Sequence, residues 1–116
     1  MRDDRKSVTL VQGTLHMLIL NTLKVEPLHG YGLGERLKQM SRGVFCVNPG
    51  SLIPALTRLE RAGLIESDWR ITRNSRRAKY YWVTAVGRTA LARQKRDWQV
   101  QTTAIARILQ GTPETR

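Results

Sequence analysis

The spacing of apolar residues along the chain predicts four helices, with a β-hairpin between the third and the fourth. From about Val11 to Lys24, apolar residues recur every three or four positions, so they lie on one face of a helix. The segment from Glu26 to Gly30 interrupts this pattern, because proline disfavours helical geometry in the residue before it. A second helix is predicted from about Gly30 to Met40. Its inward-facing residues are expected to be Tyr31, Leu33, Leu37 and Met40.

The third helix has two candidate starting points. Asn48 and Pro49 suit the N-cap and the first helical position, and Ser51 is an equally good cap. Pro54 favours the later start, since it would then lie in the first turn, where its missing N–H has no intrahelical acceptor. Gly63 is expected to end the helix.

The third helix also has a buried side and an outward side. Leu52, Leu56 and Leu59 lie at positions i, i+4 and i+7, which defines a stripe that packs on the core. The residues left pointing away from the core are Ile53, Thr57, Arg58 and Arg61. This side is interpreted as a binding surface, and the alternative is an ordinary core helix whose polar side is merely solvated.

Two segments of strand composition follow, Leu64 to Trp69 and Ala78 to Thr84. The eight residues between them are polar or basic apart from Ile71, so the pair is predicted to form a hairpin with a long tip. Because side chains alternate between the two faces of a strand, Val83 is expected on the core side. The alternative for the tip is a floppy loop whose arginines serve only solubility.

The last helix is predicted from about Ala85 to Gln110, and it is too long for the rest of the chain to bury. At about 1.5 Å per residue it spans about 40 Å, so its outer half needs a partner, most simply a second copy of the chain. The stripe predicted to form this dimer interface consists of Leu91, Trp98, Thr102, Ile105 and Leu109. Trp98 is expected to pack between subunits, with a small aromatic effector as the alternative occupant.

The charge balance changes the interpretation of the hairpin. Twenty Lys and Arg against nine Asp and Glu leave a formal charge of +11, which favours a polyanionic partner over a merely soluble basic protein. Five cations and no acid lie between Arg70 and Lys79, whereas a solvated face usually mixes both signs. Nucleic acid is therefore the expected partner of the hairpin.

Several classes of protein are not favoured by the sequence. Cys46 is the single cysteine, expected to be a buried small apolar side chain, so an intrachain disulfide and a multi-thiolate zinc site are excluded. His16 and His29 have no ligand cluster at metal spacing, so neither a metal nor another cofactor is expected. No enzyme motif is present. The segment Met1 to Lys6 does not begin a signal peptide, and no apolar run approaches the roughly 18 residues of a membrane span, so a cytoplasmic protein is expected.

The order of helix, helix, helix and hairpin predicts a mainly α protein with a winged helix-turn-helix domain over residues 8–84, followed by a dimerisation helix over residues 85–110. In such a domain the third helix enters the major groove, which is about 12 Å wide, and the hairpin, or wing, contacts the backbone. The expected DNA contacts of the helix are Ser51, Ile53, Pro54, Thr57, Arg58 and Arg61, and those of the wing are Arg73, Arg76, Arg77 and Lys79.

Two alternatives to a sequence-specific DNA-binding regulator remain open. One is an effector-sensing or protein-interaction module whose basic wing contacts an acidic partner. The other is a nonspecific DNA-binding protein, which the charge alone would explain.

Four ordered motifs resemble the PadR family of bacterial transcriptional regulators over about Val8 to Leu109. They are Gly13-Thr14-Leu15, His29-Gly30-Tyr31-Gly32, Gly50-Ser51-Leu52-Ile53-Pro54-Ala55-Leu56 and Arg77-Ala78-Lys79-Tyr80-Tyr81. The resemblance implies a repressor of the smaller subgroup, which dimerises through its C-terminal helix and binds a palindromic operator. Some relatives respond to phenolic acids or to drugs.

The resemblance places Ser51, Pro54 and Arg58 in the recognition helix, and Arg76, Arg77 and Lys79 in the wing. One position departs from the family pattern: Ile53 stands where the family commonly has tyrosine. A hydroxyl that reaches phosphate or base is therefore missing. Ile53 is expected either to contact a thymine methyl group or to pack locally.

Overall fold

The computed structural model describes residues 13–111 and confirms the four helices and the hairpin. The elements, in chain order, are helix α1 (Thr14–Val25), strand β1 (Leu28–His29), helices α2 (Gly30–Met40) and α3 (Pro49–Arg61), strands β2 (Ile65–Ile71) and β3 (Arg77–Val83), and helix α4 (Ala85–Gln110). Val11, where the first helix was expected to begin, lies outside the described residues. Both ends of α2 and both ends of α4 agree with the boundaries expected from periodicity.

The hairpin carries a third strand that the residue pattern did not predict. Strand β1 pairs antiparallel with β3, with Leu28 opposite Tyr81 and His29 opposite Tyr80, so the sheet order is β1-β3-β2. Two residues are too few for an alternating pattern, and the segment was therefore expected to be a connection. His29 also caps α2, since its Nδ1 accepts a hydrogen bond from the Gly32 N–H at 3.0 Å.

Helix α3 begins at the earlier of its two candidate starts. The Asn48 side-chain oxygen accepts from the Ser51 N–H at 3.0 Å, and Pro49 occupies the first helical position. The preference for Ser51 as the cap was therefore wrong. Pro54 lies inside the helix, where its ring removes one backbone donor. An amide cap followed directly by proline specifies the start strongly enough to tolerate that loss.

The core lies between the first three helices, the sheet and the first turns of α4. The stripe predicted on α3 is buried, as is Val83 on β3. In α2, Leu33 and Leu37 are buried, but Tyr31 is 77% exposed and Met40 is 60% exposed, contrary to expectation. Tyr31 lies about 200° around the helix from Leu33, and Met40 is the last residue of α2. The core cluster comprises Met17, Ile19, Leu20, Leu23, Leu33, Leu37, Leu52, Ala55, Leu56, Leu59, Ile65, Val83 and Leu91.

Helix α4 leaves this core after its second turn. Leu91 is 2% exposed inside the chain's own core, so the stripe that is free for a partner begins at Trp98. From Lys95 to Gln110 every residue is exposed except Thr102, which is half-buried. The Cα radius of gyration is 16.8 Å, against about 13 Å for a compact domain of 100 residues, because this half of the helix projects from the domain.

Candidate nucleic-acid interface

The outward side of α3 is a continuous exposed surface. All six of its predicted DNA contacts are exposed, because the four buried residues of the helix lie on the opposite side; the six are Ser51, Ile53, Pro54, Thr57, Arg58 and Arg61. Ile53 is 54% exposed, so about half of its side chain is open to solvent. The Thr57 hydroxyl donates to the Ile53 carbonyl at 3.1 Å, which leaves its oxygen lone pairs facing outward as acceptors.

Arg58 also affects a histidine on α1. Burial, together with the positive charge of Arg58, lowers the pKa of His16 below its ordinary value of 6.5. The folded protein therefore favours the neutral imidazole. A neutral His16 adds no further positive charge beside Arg58, which remains the cation at that point of the surface.

The lowered pKa of His16 predicts a pH-dependent stability. The unfolded chain binds a proton at His16 more readily than the folded chain, so this contribution is fully present above about pH 6.5 and is lost as the pH falls through the lowered folded pKa. We expect His16→Gln to reduce the fall in unfolding free energy between pH 7.5 and pH 5, measured by urea denaturation. Identical pH profiles for the wild type and the variant would contradict this assignment.

The tip of the wing is an ordered turn. The Thr72 N–H donates to the Arg76 carbonyl at 2.7 Å, and the Ser75 N–H donates to the Thr72 carbonyl at 3.0 Å. The Thr72 hydroxyl accepts from the N–H groups of Asn74 and Arg76, each at 3.3 Å. Ser75 has a φ of 60°, which closes the turn. These contacts favour a defined wing over a floppy loop.

The three predicted wing arginines, Arg73, Arg76 and Arg77, are all exposed, but Lys79 has a different environment. Its ammonium lies 3.9 Å from a carboxylate oxygen of Glu60 on α3, and the other oxygen of Glu60 accepts from the Ser67 hydroxyl at 2.7 Å. Burial and the charge of Glu60 raise the pKa of the neighbouring Tyr81 phenol. Lys79 therefore connects the wing to α3, in addition to its predicted role at DNA.

Aromatic rings support two arginines of the hairpin. The Arg77 guanidinium lies 4.8 Å from the centre of the Trp69 ring. On the other face of the sheet, Arg70 lies 5.5 Å from the Tyr80 ring and 5.3 Å from the Trp82 ring. Neither Trp69 nor Arg70 was among the predicted site residues. Each of these contacts joins a residue of β2 to a residue of β3, so the spacing of residues along the chain does not reveal it.

A groove of about 450 Å³ separates α2 from the start of α3. Tyr31 and Ile53 both line it, so the tyrosine expected in the core lies on the same side of the domain as the exposed Ile53. Cys46 also lines the groove and is exposed, which contradicts the expectation of a buried thiol. It lies in the connection between α2 and α3, outside the helical packing that buries side chains. The Cys46 Sγ donates to the Gly43 carbonyl at 3.6 Å.

The described part of the chain has neither a cluster of metal ligands nor a membrane-spanning helix. Within residues 13–111, no three His, Cys, Asp or Glu side chains are placed to hold a metal ion. None of the helices in this range is both long enough and apolar enough to cross a membrane.

Comparison with known proteins identifies the family. The model of the transcriptional regulator PadR-like family matches residues 19–93, which include α2, α3, the whole wing and the buried start of α4. The chain belongs to the PadR-like family. The resemblance based on the four motifs is thereby confirmed, and so is the winged-helix fold. Members of this family are DNA-binding transcriptional regulators rather than enzymes.

Relatives of known structure extend the match to most of this PadR-like chain. A PadR family transcriptional regulator from Eggerthella lenta is 33% identical, with a TM-score of 0.75, and the match covers 87% of this chain and 86% of the relative. A PadR-like transcriptional regulator from Bacillus cereus is 30% identical, with the same TM-score of 0.75, and the match covers 87% and 96%. Transcriptional regulator Rv3488 from Mycobacterium tuberculosis is 34% identical over 85 residues, which are 73% of this chain and 76% of that protein.

Proposed function

We propose that this PadR-like regulator is a cytoplasmic, sequence-specific repressor that binds a palindromic operator as a homodimer. The observation that carries the proposal is the exposed side of α3, flanked by an ordered wing with three exposed arginines. This combination matches the two kinds of contact that a duplex offers, base edges in the major groove and phosphates along the backbone.

The base-reading residues are those on the outward side of α3. Ser51, Pro54 and Thr57 carry small side chains, which allow the helix to approach base edges closely. Arg58 and Arg61 are long enough to reach base edges or phosphates near the end of the helix. Ile53 has no hydrogen-bonding group and is exposed beside them, so its proposed partner is a thymine methyl group.

The dimer rests on the outer half of α4. Trp98 is 43% exposed, and Ile105 and Leu109 continue the same stripe in exposed positions, with Thr102 between them. In the proposed dimer, the helix over residues 85–110 has two parts. Its first turns anchor it to the domain through Leu91, and the remainder binds the partner. In a symmetric dimer, two recognition helices about 34 Å apart read half-sites separated by about 10 base pairs.

The dimer interface can be tested by placing a charge in its stripe. We expect Trp98→Glu to convert the dimer to monomers at micromolar concentration, because a desolvated carboxylate without a partner is costly. Light scattering measures the mass. Val100→Glu is the matched control, since Val100 lies about 200° around the helix from Trp98 and should leave the dimer intact. A dimeric Trp98→Glu variant would move the interface elsewhere.

The function itself is tested by gel shift of the upstream operator against a scrambled duplex of equal length at physiological salt. The proposal requires the operator to bind at least about a thousandfold more tightly, as specific sites do relative to nonspecific DNA. Equal affinity would identify a nonspecific DNA-binding protein. Binding of neither duplex would favour the interaction module, in which Trp98 between subunits would hold a small aromatic effector.

A further inference from the structure

One face of the hairpin passes from the core to open solvent. Residues directly opposite each other in an antiparallel pair share a face, and this face begins at the buried pair Ile65 and Val83. It continues outward through Ser67 with Tyr81, Trp69 with Lys79, and Ile71 with Arg77. The same surface of the wing is therefore apolar and buried at its base, and both apolar and basic at its tip.

Helix α3 covers only the inner part of this face. Glu60 on α3 contacts both Ser67 and Lys79, which places the recognition helix over the middle of the hairpin. Trp69, directly opposite Lys79, is nevertheless 54% exposed, and Ile71, nearer the tip, is 65% exposed. Large apolar side chains exposed together, next to a binding surface, mark a place where a partner is expected to cover them.

The Arg77 guanidinium lies over the indole ring of Trp69 on this surface. Trp69 and Arg77 are diagonal neighbours across the strand pair, and the guanidinium carbon lies 4.8 Å from the ring centre. A cation–π contact uses no hydrogen-bond acceptor, so the N–H groups of the guanidinium remain available to donate to another partner. Those donors have the fork geometry that fits two oxygens of one phosphate.

We propose that Trp69 is a positioning residue of the DNA interface: it holds the Arg77 guanidinium ready to donate to a backbone phosphate, while Ile71 packs against the adjacent deoxyribose. This inference rests on the proposed function, since it assigns a role within operator binding. An arginine that is already ordered loses less rotamer freedom on binding than a free one, so the ring increases affinity without adding charge.

A neighbouring arginine provides the comparison. Arg76 is exposed on the same wing, and among the contacts described for residues 13–111 no aromatic ring lies against it. If Trp69 acts through Arg77, its removal should matter when Arg77 is present and should not depend on Arg76. If it acts by contacting DNA alone, neither arginine should change its effect.

The test is fluorescence anisotropy of a labelled operator with single and double variants of the full chain. We expect Trp69→Ala to weaken binding about three- to fivefold in the wild-type and Arg76→Ala backgrounds, and less than about twofold in the Arg77→Ala background. Trp69→Phe should stay within about twofold of the wild type, because a smaller ring still supports the cation. Urea unfolding of each variant establishes that the fold is retained.

Two outcomes would overturn the inference and separate it from the function. An equal loss for Trp69→Ala in the Arg77→Ala and Arg76→Ala backgrounds, with normal operator binding by the wild type, would refute the positioning role alone. A wild-type protein that does not prefer the operator to scrambled DNA would overturn the proposed function and this inference with it.

Discussion

Reversing the charge of Arg76 and Arg77 together is expected to weaken operator binding by at least about a hundredfold. Each arginine that donates to a phosphate contributes a charge-assisted hydrogen bond, and a glutamate in its place adds repulsion from the backbone. The log–log slope of affinity against salt should fall by about 1.8, or about 0.9 for each phosphate that the wing no longer neutralises. Anisotropy titrations at four or more salt concentrations measure both quantities.

A control with the same change in charge separates the position of the arginines from the net charge. Arg93 and Arg96 lie on α4, about 140° and 160° around the helix from Trp98. Reversing this pair leaves the wing and α3 unchanged, so operator affinity should fall far less. Equal losses for the two pairs would mean that binding depends on total charge, as in a nonspecific DNA-binding protein.

Gly87→Ala is expected to destabilise the fold by about 3 kcal/mol, although alanine ordinarily stabilises a helix relative to glycine by about 1 kcal/mol. Gly87 is buried in the first turn of α4, where its N–H donates to the Thr84 hydroxyl at 3.0 Å. A methyl group there would overlap the Leu64 carbonyl oxygen and lie 2.7 Å from a Val83 methyl carbon. Backbone and core atoms cannot yield as a flexible side chain can, so α4 would have to move.

A second glycine shows how the sign of the effect depends on the available space. A methyl group at Gly34, inside α2, would lie 3.7 Å from a Leu52 methyl carbon, which is an ordinary contact. Gly34→Ala should therefore be neutral or stabilising by up to about 1 kcal/mol. Urea unfolding of both variants measures the difference. A Gly87→Ala variant as stable as the wild type would show that α4 is not held tightly against the turn after α3.

The junction at Gly87 links stability to function, because it sets the direction in which α4 leaves the domain. The Thr84 hydroxyl donates to the Gly63 carbonyl at 2.7 Å, so the start of α4 is fastened directly to the turn that ends α3. In the proposed dimer, the separation of the two recognition helices depends on this direction. A shift at the junction would change the half-site spacing as well as the free energy of unfolding.

The helices, the hairpin and the outward side of α3 can be predicted from the order of residues alone, since they depend on periodicity and on residues close to one another in the chain. Three leucines at helical spacing are enough to turn Ile53, Thr57 and Arg58 outward, whatever lies beneath them. The cluster of cations between Arg70 and Lys79 likewise identified the wing without any knowledge of its partner strands.

The features that join distant segments become evident only in the folded chain. Strand β1 exists because β3 supplies its hydrogen bonds, about 50 residues away, and two residues carry no pattern of their own. Tyr31 and Cys46 are exposed because their neighbours in space leave them uncovered, although both residue types are often found inside proteins. The pairing of Lys79 with Glu60 and the contact of Arg77 with the Trp69 ring depend on strand register and on where α3 ends. Local spacing specifies which side of an element faces outward, whereas long-range packing specifies what each exposed charge lies against.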